Sequence, residues 1–192
     1  MQRYQDLIDK YISAEIKRVF STINNAATVQ DVEDNLPLLP VISALNGKYI
    51  ILGDDYPPVR NRYSMGNCWF VDSAASAANP DEEIALMENA DLGSVAIIGD
   101  DFKWAKDKLS ALSSQEDEVS QPEIRLASYA PNQLIYSFRT DRERAAIFSE
   151  IYYGDGWKAW IEPRGAYGEV RKGRYVPTED AVPVDLFRAD WI

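Results

Sequence analysis

At 192 residues, with 46% hydrophobic and 11% aromatic residues, the chain is composed like a folded domain and not like a disordered one. Lys and Arg number 20 against 31 Asp and Glu, a net charge of −11 that argues against nucleic acid as a partner and against adsorption to anionic lipid. The absence of histidine removes Ser/His/Asp and Cys/His catalysis and His-ligated zinc.

The first predicted element is a helix. Tyr4, Leu7, Ile8, Tyr11, Ile12, Ile16, Val19, Phe20 and Ile23 recur at three- and four-residue spacing with charges between them, the pattern of a core-facing stripe. Thr28 is placed to cap a short second helix through Asp31 and Val32 that ends at Pro37, and Pro40 opens a brief element over Val41 to Leu45. Lys48 to Leu52 is a strand closed by Gly53-Asp54-Asp55, and Asn67 to Val71 is a second. Asn79 or Asp81 caps a helix with Pro80 in its first turn. Ser94 to Ile98 forms a third strand, and residues 102 to 112 a further helix.

An acidic, proline-terminated stretch over 113–122 is the natural linker or exposed loop. Beyond it, Ile124, Leu126 and Ser128 alternate with Glu123, Arg125 and Ala127. Leu134 to Phe138 follows the turn Ala130-Pro131-Asn132, and Ala146 to Tyr153, Trp157 to Ile161 and Val184 to Ala189 complete a strand-rich half. The expected fold class is α+β. An N-terminal helix and a small α/β layer occupy 1–112, and an antiparallel β-sandwich-like half occupies 123–192.

No apolar run reaches the ~20 residues that cross a bilayer, and the N-terminus has no basic region followed by an apolar stretch. Cys68 is the single cysteine and lies in the apolar run Cys68-Trp69-Phe70-Val71, so it is expected as a buried small hydrophobe and not as a reactive thiol.

The segment from Ser149 to Ile161 is the most distinctive in the chain. It contains Tyr152, Tyr153, Trp157 and Trp160 around Gly154-Asp155-Gly156 and is expected to form a hairpin whose glycines take positive φ. The four aromatics could offer flat faces to sugar rings, and they are the candidate carbohydrate-binding residues; core packing of alternate members is the competing account. The carboxylates Glu150, Asp155 and Glu162 invite comparison with a glycosidase pair, but nothing fixes their separation. The pairs Asp54-Asp55 and Asp100-Asp101 lack the spacing of a calcium loop. No catalytic residue, metal or cofactor is expected.

Several motifs, in order, resemble the YfhO-like family of bacterial multi-pass membrane proteins, especially its Bacteroidetes members. They are Asn46-Gly47-Lys48-Tyr49-Ile50-Ile51, Gly66-Asn67-Cys68-Trp69-Phe70-Val71, Glu82-Glu83-Ile84, Tyr129-Ala130-Pro131-Asn132, Ser149 to Trp160, and Phe187-Arg188-Ala189-Asp190-Trp191. Cys68 stands where the family carries alanine. The resemblance implies a soluble extracytoplasmic region near the C-terminus of a large membrane protein allied to polyprenyl-phosphate-dependent glycosyltransferases. It would lie on the periplasmic face of the inner membrane. Its partners would be the transmembrane portion of that parent and a glycan or lipid-linked sugar. The family usually continues past the Arg-Ala motif with one more strand and a membrane helix. The strand-rich half is therefore expected to lack its last strand and to expose an edge able to pair with a second copy. A free-standing carbohydrate-binding or cell-surface module, and a structural domain without ligand, are the alternatives.

Overall fold

The computed structural model describes residues 2–113, 121–163, 165, 168–171 and 174–190. It is an α+β fold with one long N-terminal helix, several short helices and mostly antiparallel ladders. The expected linker falls largely outside the described residues, which resume at Gln121.

The N-terminal helix is built from α1 (Gln2–Leu7), a π-turn (Ile8–Ile12) and α2 (Ser13–Asn24). The wider i→i+5 turn changes the phase of the apolar stripe. The face that packs inward carries Leu7, Tyr11, Glu15, Val19 and Ile23, while Ile16 and Phe20, expected in the core, are exposed. Glu15 takes a core position because its carboxylate has work there. It accepts the backbone N–H groups of Val41 and Ile42, both at 2.9 Å. These are orphan donors of α4 (Pro40–Ala44), whose own N-cap, Leu39, has no side-chain oxygen to offer. The long helix thus caps the short one from outside.

Helix α3 (Val29–Asp34) begins as expected. Thr28 Oγ1 accepts the Asp31 N–H, and the Asp31 carboxylate accepts the Thr28 N–H, a reciprocal capping box. Helix α4 ends in a Schellman turn, with the Gly47 N–H donating to Ile42 O and the Asn46 N–H to Ser43 O. Asn46 takes φ 59°, and a Cβ on Gly47 would lie 2.6 Å from Ile42 Cγ2.

Strand β1 (Tyr49–Ile50) pairs antiparallel with β2 (Val59–Arg60). Strand β3 (Cys68–Val71) turns at Asp72 into β4 (Ser73–Ala77), and α5 (Pro80–Leu86) then crosses over to β5 (Val95–Gly99). Strands β4 and β5 are parallel, with Ala75 opposite Ile97. Helix α5 is capped by Asn79, whose Oδ1 accepts the Glu82 N–H at 2.9 Å. After a 3-10 turn (Asp100–Phe102), α6 (Lys103–Ser113) covers the other face of β5.

Strand β5 is therefore buried on both faces, which explains its continuous apolar run. Ile97 enters a core with Leu7, Val41, Ile84, Met87 and Leu92. Ala96 and Ile98 enter a second core with Val71, Ala105 and Leu109. A third core, around Val19, Val32, Leu36, Leu39 and Val59, lies beneath α2 and α3.

The strand-rich part forms antiparallel ladders. Strands β6 (Glu123–Ala130) and β7 (Gln133–Arg139) make a hairpin through Pro131-Asn132, with a bulge between Leu126 and Ser128. Strand β8 (Ala145–Phe148) pairs back onto β3, and so ties this part to the α/β layer. Strand β9 (Ala159–Ile161) pairs with β12 (Val182–Val184), and β10 (Glu169–Arg171) with β11 (Arg174–Val176). At the bend between β3 and β4, the buried side chain of Arg144 lies 3.7 Å from Asp72 and 3.6 Å from Asp141.

The Glu15 cap gives a direct test. Glu15→Ala strands two donors of α4, one of them fully buried, and should destabilise the fold by about 2–6 kcal/mol, at roughly 1–3 kcal/mol per unmet donor. Glu15→Gln, which keeps an acceptor oxygen, should lose less. Urea denaturation of the three proteins checks the order.

Candidate functional site

The aromatic segment does not form a hairpin. Strand β8 ends at Phe148 and pairs with β3, while β9 pairs with β12, so the two strands flanking the turn do not pair with each other. Ser149 anchors the start of the segment, its N–H donating to Asn67 O and its hydroxyl to Gly66 O. The chain then reverses at Tyr153, whose carbonyl accepts the N–H groups of Gly156 and Trp157.

Gly154 and Gly156 are not among the glycines with positive φ. A Cβ at either position would instead crowd a neighbouring tyrosine side chain. A Cβ on Gly156 would lie 2.1 Å from the Tyr153 ring, and one on Gly154 would lie 2.8 Å from the Tyr152 hydroxyl.

The four aromatics separate into three environments. Tyr152 is half-buried and meets Phe102 edge to face, with ring centres 5.6 Å apart. Trp160, on β9, leans toward Tyr175 at 6.0 Å. Tyr153 and Trp157 share the turn itself. The Trp157 indole N–H donates to Ile151 O at 3.1 Å, which fixes the ring, and Tyr153 is 63% exposed. No ring contact joins two of the four among the described residues. The four therefore do not form one platform, and the turn 151–157 presents Ile151, Tyr153 and Trp157 together.

Glu162 has a structural role. Its carboxylate accepts the Tyr175 hydroxyl at 2.5 Å, the Thr178 N–H at 2.9 Å and the Gly168 N–H at 3.3 Å. The Tyr175 hydroxyl chiefly, then the backbone donors, hold its pKa below the usual carboxylate value. A glycosidase general acid needs the opposite shift, so Glu162 does not fit that role. Cys68 is buried, and burial pushes its thiol up to about 11, away from thiolate chemistry. Asp54 and Asp55 lie in a surface turn, and Asp100 and Asp101 open the 3-10 turn before α6.

A buried charged cluster lies inside the fold. Arg188 forms a bidentate pair with Glu83, Nη1 to Oε1 and Nη2 to Oε2, the latter at 3.0 Å, and both residues are buried. Gly99, at the end of β5, makes space for the pair, since a Cβ there would lie 2.8 Å from Glu83 Oε2. Two residues on, Asp190 clasps Ile97. Its N–H donates to Ile97 O, and its Oδ1 accepts the Ile97 N–H at 2.7 Å. Asp190 adopts φ 54° to do so, and its Oδ2 has no hydrogen-bond partner among the described residues. Burial, reinforced by the nearby Glu83 charge and opposed by the Ile97 N–H, raises the Asp190 carboxyl to about 7.

Glu83 and Arg188 lie in separate motifs, and no local pattern joins them across 105 positions. The available signal was the spacing of Arg188 and Asp190, two charges in a segment otherwise set to enter the core. Compared with protein-family models, curated proteins and solved structures, the chain matches none.

The Asp190 carboxyl predicts a pH dependence. A carboxyl with a folded pKa above its unfolded value binds its proton more tightly in the folded state. Its contribution to stability is complete below about pH 4 and is lost as the pH rises through about 7. Asp190→Asn keeps an acceptor for the Ile97 N–H without the charge. It should match the parent near the acid end of this range and exceed it by a few kcal/mol above pH 8. Thermal melts of both proteins across the range check this; parallel profiles would refute it.

Proposed function

We propose that this chain is a non-catalytic extracytoplasmic domain of a membrane-embedded, glycosyltransferase-like protein. In this reading it packs against the transmembrane portion and helps to hold an acceptor glycan or lipid-linked sugar. The observation that carries the reading is the incomplete cover of the strand-rich part. Strands β9 and β12 form a two-stranded ladder in which Ile161, Val182 and Val184 are exposed. Two strands with an open apolar face are marginal on their own, so a further surface is needed to cover them. The ordered motifs that resemble the YfhO-like family suggest the kind of parent. Several of them build the frame: the Asn46-Gly47 helix end, strand β3, Glu83 in the buried pair and Arg188 opposite it.

The turn 151–157 is the surface best suited to sugar. Ile151 and Tyr153 are exposed, and the Trp157 ring is fixed by its indole bond. The same turn serves the alternative of a free-standing carbohydrate-binding module. The reading frame around the segment separates the two. Apolar runs of about 20 residues outside it support the membrane-protein reading, and their absence refutes it.

Sugar contact has its own test. Tyr153→Ala and Trp157→Ala should each weaken binding of oligosaccharides from the cell envelope by about tenfold, or roughly 1.4 kcal/mol. Trp160→Phe, away from the turn, should leave it unchanged. Titration monitored by NMR of the indole N–H signals checks both; equal effects of all three substitutions would reject the turn as the site.

A further inference from the structure

In a chain with net charge −11, cationic side chains would ordinarily be dispersed among carboxylates. One cleft departs from this. It has a volume of about 260 Å³ and is lined by Lys48, Tyr49, Arg60, Asn61, Arg62, Ser64 and Gly66, with three cations and no carboxylate. The ladder sets the first of these in place, because Tyr49 and Arg60 are directly opposed on β1 and β2. The Asn61 N–H donates to Lys48 O, which continues the pairing by one step.

The floor is rigid. Asn61 is buried, and its amide donates to Ser43 Oγ at 3.1 Å and to Gly47 O at 2.8 Å, while its Oδ1 accepts the Tyr63 N–H. The loop is thereby tied to the Schellman turn that ends α4. Ser64 Oγ is fixed to Asn46 Oδ1 at 3.0 Å. Arg62 is steered by one end only. Its Nη2 donates to Asp34 O and to the Tyr63 hydroxyl, and the guanidinium lies 5.0 Å from the Tyr63 ring centre. Its Nε and Nη1 make no hydrogen bond to a described residue. Lys48 and Arg60 form no ion pair with a described residue. Glu33 accepts the Arg60 backbone N–H at 2.7 Å and does not line the cleft.

We propose that this cleft binds a small oxyanion of the phosphoryl type. Lys48, Arg60 and Arg62 line the cleft with no carboxylate among the lining residues, and two of the three carry guanidinium groups suited to paired oxygen atoms. The cleft is a little smaller than the ~300–1,000 Å³ of pockets that enclose drug-sized ligands, which suits a small anion such as phosphate or pyrophosphate. Tyr49 at the rim, 65% exposed, is available to the group that carries the phosphate. The proposal uses no side chain of the sugar-contacting turn, and its test does not depend on the membrane reading, although Lys48, Tyr49 and Gly66 fall in two of the motifs behind that reading.

The test is isothermal titration of the intact chain with sodium pyrophosphate and with inorganic phosphate. Two double variants of equal charge change are compared with it: Lys48→Gln with Arg60→Gln, and Lys103→Gln with Lys158→Gln. Circular dichroism verifies that each is folded. Binding that weakens at least about tenfold in the first variant, persists in the second and falls with added salt supports the site. Equal loss in both variants, or no binding at millimolar pyrophosphate, overturns it. Co-sedimentation with phosphatidylglycerol vesicles, against phosphatidylcholine vesicles, separates the sources. Vesicle binding lost in the first variant alone assigns the phosphoryl group to a lipid head group. Pyrophosphate binding without vesicle binding assigns it to a soluble ligand.

Discussion

Strand β5 has neighbours on every side, and one of its edges is closed by the chain's own C-terminal segment. Helices α5 and α6 cover its faces, β4 pairs along one edge, and Asp190 takes both the N–H and the C=O of Ile97 on the other. The Glu83–Arg188 pair lies beside that contact and sets its position. A buried ion pair is weak evidence for net stability, because desolvation offsets much of the attraction. Its effect here is positional. A guanidinium held at two points fixes residues 187–190 along the strand, and removal of either partner would leave a buried charge uncompensated, at about 3–5 kcal/mol. Phe187 adds an apolar hold, edge to face with Trp104 on α6 at 5.8 Å.

This return of the chain also explains how the two regions become one structure. The β3–β8 ladder joins them at one point, and the contact of 188–190 with α5 and β5 joins them at another. Both connections span large sequence separations, and such contacts form only after long loops have closed. The local elements, by contrast, carry their own start and stop signals. Folding is then expected to assemble the α/β layer from short-range pieces before the C-terminal segment docks.

Those local signals are what the sequence makes legible. Thr28 with Asp31, Asn79 with Pro80 and the Pro131-Asn132 turn each occupy the expected place, since a cap or a tight turn depends on residues within four positions. The α+β class follows from the same signals. Strand β4 escaped because Ser73-Ala74-Ala75-Ser76-Ala77 has no strand-forming composition; its small side chains serve close packing between helices. Glu15 escaped because a charged residue in a helix normally faces solvent, and only the distant α4 supplies the donors that reward its burial. The aromatic turn was legible in content and misread in form. Its glycines signal positive φ, whereas in the structure they take other φ values and leave room for the Tyr152 and Tyr153 side chains.

Polar groups in this chain therefore divide by depth, and the division bears on where a ligand can be met. Glu15, Asn61, Glu83, Arg188 and Asp190 are buried and engaged with backbone or with each other, so they define geometry and are closed to solvent. The groups left to meet a ligand stand on features that the buried ones fix. Asn61 ties down the end of β2 with Arg60 and the loop with Arg62, and Ser149, bonded to the residues just before β3, sets the turn that carries Tyr153 and Trp157. A surface group on a long side chain loses much rotamer freedom when it binds, and a rigid base limits the further cost to the backbone. Substitutions at the buried supports should consequently weaken both surfaces through misplacement even where the contacting side chains are intact. Substitutions at the contacting side chains should leave the fold unchanged.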